Sequence, residues 1–246
     1  MKSIFALALI AAGPMLIGLP AHATPISFQE GVSPTGGYTH DAVYIRESQA
    51  DTNQNGDTDN EIIVGFTDDD TELRGLLEFD ITAIPSGSTI DSVSLVLDTG
   101  GGLGGSITIN TYRYGFDFDE AVSTWNAPAP GDGTAGGTIG SLLSSSTFES
   151  TVTADITFGD SPAFRTAVSD ALAGDGFVRL LLARSDNSGA GQHRFARFRD
   201  EGFGTAARRP ELEVNYTIIP EPASVALMGL GALALVLRRR GLTRRG

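Results

Sequence analysis

The sequence contains no cysteine, and its only lysine is Lys2. The absence of cysteine excludes disulfides, thiolate zinc sites and thiol catalysis. The absence of any other lysine excludes a Schiff-base lysine and the lysine of a phosphate-binding Walker motif. Histidine is also scarce, because residues 24–219 contain only His40 and His193. This scarcity argues against a histidine-based triad and against a multi-histidine metal centre.

Positive charge is scarce in the central part of the chain. Residues 24–219 contain 11 arginines and 29 acidic residues, which gives a formal charge of −18. A chain this acidic repels phosphate backbones and anionic lipid, so we expect no nucleic-acid binding and no membrane contact through this part. Its 196 residues are enough to bury one sizeable core.

Residues 1–23 have the pattern of a secretory signal peptide. Lys2 precedes an apolar run at residues 4–19, and Ala21-His22-Ala23 follows as an A-x-A cleavage site. The pattern predicts export through the Sec translocon and cleavage by signal peptidase after Ala23. A retained membrane anchor is the alternative, but the apolar run is short for one.

The segment 220–246 has three parts in order. Pro220-Glu221-Pro222 comes first, an uncharged apolar run follows at residues 223–237, and an arginine cluster follows that run at Arg238, Arg239 and Arg240. The run has 15 residues, whereas about 20 span a bilayer comfortably. Arginines beyond the run would keep that end in the cytoplasm. The residues alone therefore predict an exported protein anchored by its tail.

The same three parts resemble the PEP-CTERM sorting signal. The resemblance implies a Gram-negative bacterium in which an exosortase recognises and cuts the tail. The protein would be tethered transiently at the inner membrane and would finally reside on the cell surface or in the extracellular matrix. Such proteins are typically linked to exopolysaccharide and biofilm. An ordinary single-span anchor is the alternative, but it does not explain Pro220-Glu221-Pro222.

The central part is dominated by two-residue alternation of apolar and polar side chains, which predicts β-strands with one buried face. Strands are expected near residues 43–46, 62–66, 76–79, 92–97, 107–114, 151–157, 177–183, 194–199 and 211–216. One helix is expected between Ser161 as its cap and Gly174 as its end. Residues 127–147 are expected to form a long surface loop. The pattern predicts an all-β fold: a single, jelly-roll-like β-sandwich with one short helix over residues 24–219.

A second resemblance covers most of this region. Residues 74–80 (RGLLEFD) and 84–90 (IPSGSTI) resemble the central block of DNRLRE domains. Residues 41–45, 123–126 and 209–214 resemble further pieces of the same pattern in the same order. Phe118 departs from it where the family often has Trp, and residues 199–201 only approximate its Arg-Glu pair. The resemblance implies a non-catalytic, carbohydrate-binding β-sandwich module.

Three aromatic residues and two arginines are candidate ligand contacts. Tyr112, Tyr114 and Trp125 offer ring faces for sugar stacking, and core packing is the alternative. Arg194 and Arg197, with Arg199, offer guanidinium groups for the carboxylates or sulfates of an acidic polysaccharide. Internal ion pairs with the abundant acids are the alternative for the arginines. We expect Arg74 and Arg199 to be internal ion pairs.

A calcium site is the one cofactor that the sequence suggests. Oxygen-bearing side chains alternate around Gly56 in the loop at 51–61, and calcium prefers six to eight such ligands. The candidate ligands are Asp51, Asn53, Asn55, Asp57 and Asp59. A solvated loop with Asx turns is the alternative.

The sequence predicts a function without catalysis. Two G-x-G-x-x-G matches, at 100–105 and 131–136, do not open a helix after a strand, so we interpret both as flexible loops. No motif assigns a catalytic residue. We expect a secreted, exosortase-processed protein that binds or organises extracellular polysaccharide. The alternatives are a purely structural matrix or adhesion protein and a polysaccharide hydrolase or lyase, since a pair of catalytic carboxylates is set by distances in space.

Overall fold

The computed structural model describes residues 22–55, 60–185 and 193–219. Within these residues the chain is all-β, with eleven strands and one α-helix, α1 (Pro162–Ala173). The strands are β1 (Ala23–Gln29), β2 (Asp41–Arg46), β3 (Glu61–Phe66), β4 (Glu72–Asp80), β5 (Thr89–Leu103), β6 (Ser106–Arg113), β7 (Leu142–Glu149), β8 (Asp155–Phe158), β9 (Phe177–Arg184), β10 (Arg194–Arg199) and β11 (Glu211–Thr217).

The strands form one curled antiparallel sheet in the order β1-β11-β5-β10-β3-β4-β9-β6-β7, while β2 pairs with β4 and β8 pairs with β5. The long strand β5 joins the two halves of this sheet. Its first part pairs with β11 and β8, and its last part pairs with β10. The two halves pack against each other, so the predicted sandwich-like, all-β fold is confirmed.

The sheet has a core on each side of β4 and β9. The main core lies between the two halves, where side chains such as Leu95 and Leu212 pack with Phe79 and Leu180. A second core lies on the opposite face, because residues 114–141 fold back over β2, β4 and β9. We call residues 114–141 the covering segment.

The predicted helix is confirmed at both ends. Ser161 is the N-cap, and its hydroxyl accepts a hydrogen bond from the backbone N–H of Phe164 at 3.0 Å. Pro162 occupies the first turn, where its missing N–H costs nothing. Phe164 and Val168 are buried on one face, and Gly174 ends the helix.

Three local expectations are wrong. Residues 127–147 are not one surface loop, since β7 begins at Leu142 and Ala129 is buried in the second core. The glycines at 100–102 lie in β5 rather than in a flexible loop. The strand expected at 151–157 begins only at Asp155, because residues 150–154 form a turn.

Candidate functional site

Two of the predicted ligand aromatics belong to the covering segment and are buried against the sheet. Tyr114 is 3% exposed, and its hydroxyl donates to the Asp132 carboxylate at 2.8 Å. Trp125 is 7% exposed, and the guanidinium carbon of Arg74 lies 5.2 Å from the centre of its ring. Neither ring has a face open to a sugar, so the core-packing alternative describes both residues.

Tyr112 lies at the margin of the second core and is only partly buried. Its hydroxyl accepts a hydrogen bond from the Asn110 side-chain amide at 2.8 Å. The oxygen of that amide accepts from Ser145 at 2.7 Å. Of the three predicted aromatics, Tyr112 is therefore the least enclosed.

Arg74 and Arg199 form the internal ion pairs that the sequence predicts. Arg74 contacts Glu72 at 2.8 Å on its own strand and also donates to the carbonyl oxygen of Gly136 in the covering segment. Arg199 contacts the buried carboxylate of Glu61 at 2.5 Å. Both arginines hold the sandwich together, so neither is a candidate ligand contact.

Arg194 and Arg197 lie on β10, and the side chain of Arg197 is less enclosed than that of Arg199. The Arg197 side chain is 41% exposed, compared with 18% for Arg199. Arg197 stands 3.4 Å from Glu61, which Arg199 contacts more closely. Arg194 donates to the carbonyl oxygen of Ser106 at 3.1 Å. Arg197 is the better candidate of the two to meet a ligand, because Glu61 is already paired at shorter distance.

An open groove of about 400 Å³ lies beside Arg197, where β10 pairs with the end of β5. We call it the glycine groove. Its lining residues are Gly100, Gly101, Gly102, Leu103, Thr151, Thr153, Phe195 and Arg197. Phe195 pairs with Leu103 and Arg197 pairs with Gly101, so these four residues share one face of the sheet. The groove thus combines an aromatic ring, a guanidinium group and two threonine residues.

The groove exists because three consecutive residues of β5 have no side chain. A Cβ atom on Gly102 would lie 2.2 Å from the carbonyl oxygen of Phe195 and 2.8 Å from that of Ser150. A Cβ atom on Gly100 would lie 2.6 Å from a carboxylate oxygen of Glu61. Gly101 has φ +100°, a conformation that favours glycine, and it faces open space. The backbone of Phe195 and Ser150 beside Gly102 and the Glu61 side chain beside Gly100 therefore leave a floor without side chains.

Phe195 is the groove residue that the sequence analysis missed. It is partly buried, the guanidinium carbon of Arg197 lies 5.4 Å from its ring centre, and the His193 ring lies 5.5 Å away. Its neighbours Ala196 and Phe198 point into the main core. The alternation along β10 places Phe195 and Arg197 on the other face, and this signal would have found the pair if the glycines had been assigned to a strand.

The calcium prediction remains a prediction. Asn53 shows the Asx turn of the alternative, since its side-chain oxygen accepts from the Asn55 backbone N–H at 2.9 Å. Asp51 accepts from Asn126 in the covering segment at 2.9 Å. Asp57 and Asp59 lie outside the described residues. Among the residues that the structure describes, no group of three or more acidic or histidine side chains is placed to hold a metal ion.

Several carboxyl groups have raised pKa values near the loop at residues 200–201. Burial, together with the neighbouring Asp200 and Glu120 carboxylates, raises the pKa of Glu201 to about 9. Burial also raises the pKa of Asp200 to about 6. The carboxylates near residues 200–201 therefore repel one another, and proton binding reduces this repulsion.

The model of the PEP-CTERM protein-sorting motif matches residues 219–240. No curated protein matches the chain. The motif marks an exported protein that an exosortase processes, with anchoring in the membrane during sorting and display at the surface afterwards. None of the helices among the described residues is long and apolar enough to cross a membrane. The predicted sorting residues Pro220, Glu221 and Pro222 and the apolar run at 223–237 lie outside those residues.

Proposed function

We propose that this exported, exosortase-sorted protein binds extracellular polysaccharide in the glycine groove and performs no catalysis. The observation that carries the proposal is the shared open face of Phe195, Arg197 and Gly101. An aromatic ring beside a floor without side chains leaves room for a flat sugar ring to stack. The exported destination supplies the setting in which such polymers occur.

The chemistry of the groove suits a sugar chain that carries negative groups. The Phe195 ring can bury apolar C–H surface of a sugar, a contribution of about 1–2 kcal/mol. Arg197 can donate two parallel hydrogen bonds to a carboxylate or sulfate. Glu61 keeps Arg199 as its close partner when Arg197 turns outward. Acidic polysaccharide is therefore the preferred ligand class in this groove, where Arg197 supplies a local positive charge against the overall charge of −18 on residues 24–219, and neutral glycans are the comparison.

We also propose that the chain is cleaved near both of its ends. Ala23 is the first residue of β1, and Ala21 lies outside the described residues. Signal peptidase would cut after Ala23 once the Sec translocon has exported the chain, and exosortase would remove most of the segment beyond Pro222. The host would be a Gram-negative bacterium, and the protein would end on its surface or in its biofilm matrix. Intact-mass analysis of the surface protein tests this, and recovery of Arg245 in that protein would refute exosortase cleavage.

Two competing functions differ in what they require. A purely structural matrix protein needs no saturable sugar site. A hydrolase needs two carboxyl groups separated by about 5–9 Å with a sugar between them. The raised pKa of Glu201 is the observation that favours a general acid, and the neighbouring Asp200 and Glu120 carboxylates contribute to it. Release of reducing ends or unsaturated sugars would favour the enzyme.

Affinity electrophoresis with neutral and acidic polysaccharides in the gel tests the proposal. We expect acidic polysaccharide to retard the protein in a saturable way. Phe195→Ala should abolish most of the retardation, whereas Tyr112→Ala should retain it, because Tyr112 is a partly buried aromatic of β6 that does not line the groove. Equal migration in all gels would overturn sugar binding, and loss only in Tyr112→Ala would move the site to the second core's margin.

A further inference from the structure

The chain is held in place up to the last residue of β11. Thr217 lies opposite Thr89 on β5, and the preceding Tyr216 lies opposite Thr24 on β1. The Thr217 hydroxyl donates to the Asp91 carboxylate at 2.7 Å. We call this edge, where β11 ends and β1 and β5 begin, the tail end of the sheet. The sorting tail therefore leaves the domain from a fixed point.

The connection from this point to the apolar run is short. Five residues, 218–222, separate Thr217 from Ala223. Even when fully extended, the chain from Thr217 to Ala223 spans at most about 20 Å. While the tail is anchored in the membrane, the tail end of the sheet is thus confined close to the lipid headgroups.

The glycine groove lies at the other end of β5. This strand begins at Thr89, opposite Thr217, and reaches the groove at Gly100–Leu103. A strand rises about 3.3 Å per residue, so the two ends of β5 are separated by up to roughly 45 Å. The groove and the tail exit are therefore far apart along a single, continuous element.

From this placement we infer that the anchored protein stands on the membrane with the tail end of the sheet toward the lipid headgroups and the glycine groove facing away. The surface that faces the tail end of the sheet is the lipid bilayer. The short connection keeps the two close together, and no attraction between them is required. A membrane-embedded processing enzyme reaches the tail at this edge without crossing the groove. The groove is open to a ligand before the tail is cut. The orientation does not depend on which ligand the groove takes.

The absence of cysteine makes this arrangement directly measurable. Thr89→Cys and Thr153→Cys place one fluorophore each at two exposed threonines, the first at the tail end and the second in the groove lining. The full chain is anchored through its tail in phosphatidylcholine vesicles with an energy acceptor on some headgroups. Energy transfer should be several times stronger from position 89 than from position 153. Equal transfer, stronger transfer from position 153, or none from either would overturn the inference.

A lengthened connection supplies the matched control. A Gly/Ser insert of about twelve residues after Ile219 adds flexible reach without touching the sheet. In this variant the difference between the two positions should shrink strongly, because the domain can tumble away from the bilayer. An undiminished difference would show that the short connection does not set the orientation. Ser86→Cys, also exposed, replaces Thr89→Cys if that substitution disturbs β5.

Discussion

The covering segment and the glycine groove are two regions of one sheet that differ in how far side chains exclude solvent. The covering segment brings large rings, Tyr114, Phe118 and Trp125, onto β2, β4 and β9 and excludes solvent from them. The groove has one partly exposed ring, Phe195, beside residues without side chains. The comparison shows that abundant aromatics mark the packed region here, whereas an open binding face is made where side chains are missing.

The largest expected effect of a single substitution is in the covered region. Trp125→Ala removes a ring that contacts Arg74 and lies against Gly136, and it should lower the free energy of unfolding by about 4 kcal/mol. Denaturant titration measures this loss. Phe195→Ala is the matched control and should cost less than about 1 kcal/mol, because its ring lies on the open face. A larger loss for Phe195→Ala than for Trp125→Ala would reverse the comparison.

His40 and His193 allow the packed and the open surroundings to be compared through the pH dependence of stability. His40 is buried against Phe79, with ring centres 4.9 Å apart, and burial, together with the nearby charge of Arg209, lowers its pKa to about 3. Because the unfolded chain binds a proton on this ring below about pH 6.5 and the folded chain does not, stability falls as pH decreases from that value. At pH 4 the loss should be about 3 kcal/mol.

His40→Phe should remove this acid-dependent loss, whereas His193→Phe, beside the groove, should retain it. Denaturant titrations at pH 7 and pH 4 measure the difference. Burial raises the pKa of Glu78 to about 7 and that of Asp41 to about 6, and these groups stabilise the fold at low pH and lose that effect as pH rises. Both variants keep these carboxyl groups, so the difference between their acid-dependent losses of stability reports on His40 alone. An identical acid loss in His40→Phe and wild type would contradict the assignment.

The floor of the groove is tested by adding one methyl group. Gly102→Ala puts a Cβ atom against the carbonyl oxygens of Phe195 and Ser150, so β10 or the turn after β7 must shift. We expect a loss of about 3 kcal/mol in unfolding free energy. Gly133→Ala in the covering segment faces open space and is the control, with little change expected. Equal stability of the two variants would mean that β5 and β10 do not approach as closely as described.

Asn53 is the link between the candidate calcium loop and the covering segment. Its side-chain amide donates to the carbonyl oxygens of Glu120 at 2.8 Å and Ser123 at 2.7 Å. Asn53→Ala should therefore cost about 2 kcal/mol in calcium and in chelator alike. Asn126→Ala, an exposed neighbour, should cost less. A loss that occurs only in calcium would instead support Asn53 as a metal ligand.

Sequence patterns predicted the parts of the fold that local physics determines. Alternation located most strands, and Ser161, Pro162 and Gly174 located the helix because caps act within a few residues. β7 was missed because its Ser144–Ser146 run has no apolar alternation. The ion pairs of Arg74 and Arg199 were predicted. Core packing of Tyr114 and Trp125 was only the alternative to sugar stacking, because their burial depends on where a long connection folds back.

The central claim is that the glycine groove, and not the covered face, binds sugar. Calorimetric titration of acidic polysaccharide into wild type, Phe195→Ala and Tyr112→Ala tests it most directly. We predict that Phe195→Ala binds about tenfold more weakly, a change of about 1.4 kcal/mol, while Tyr112→Ala binds like wild type. Unchanged affinity in a folded Phe195→Ala variant, together with a loss in Tyr112→Ala, would contradict the claim.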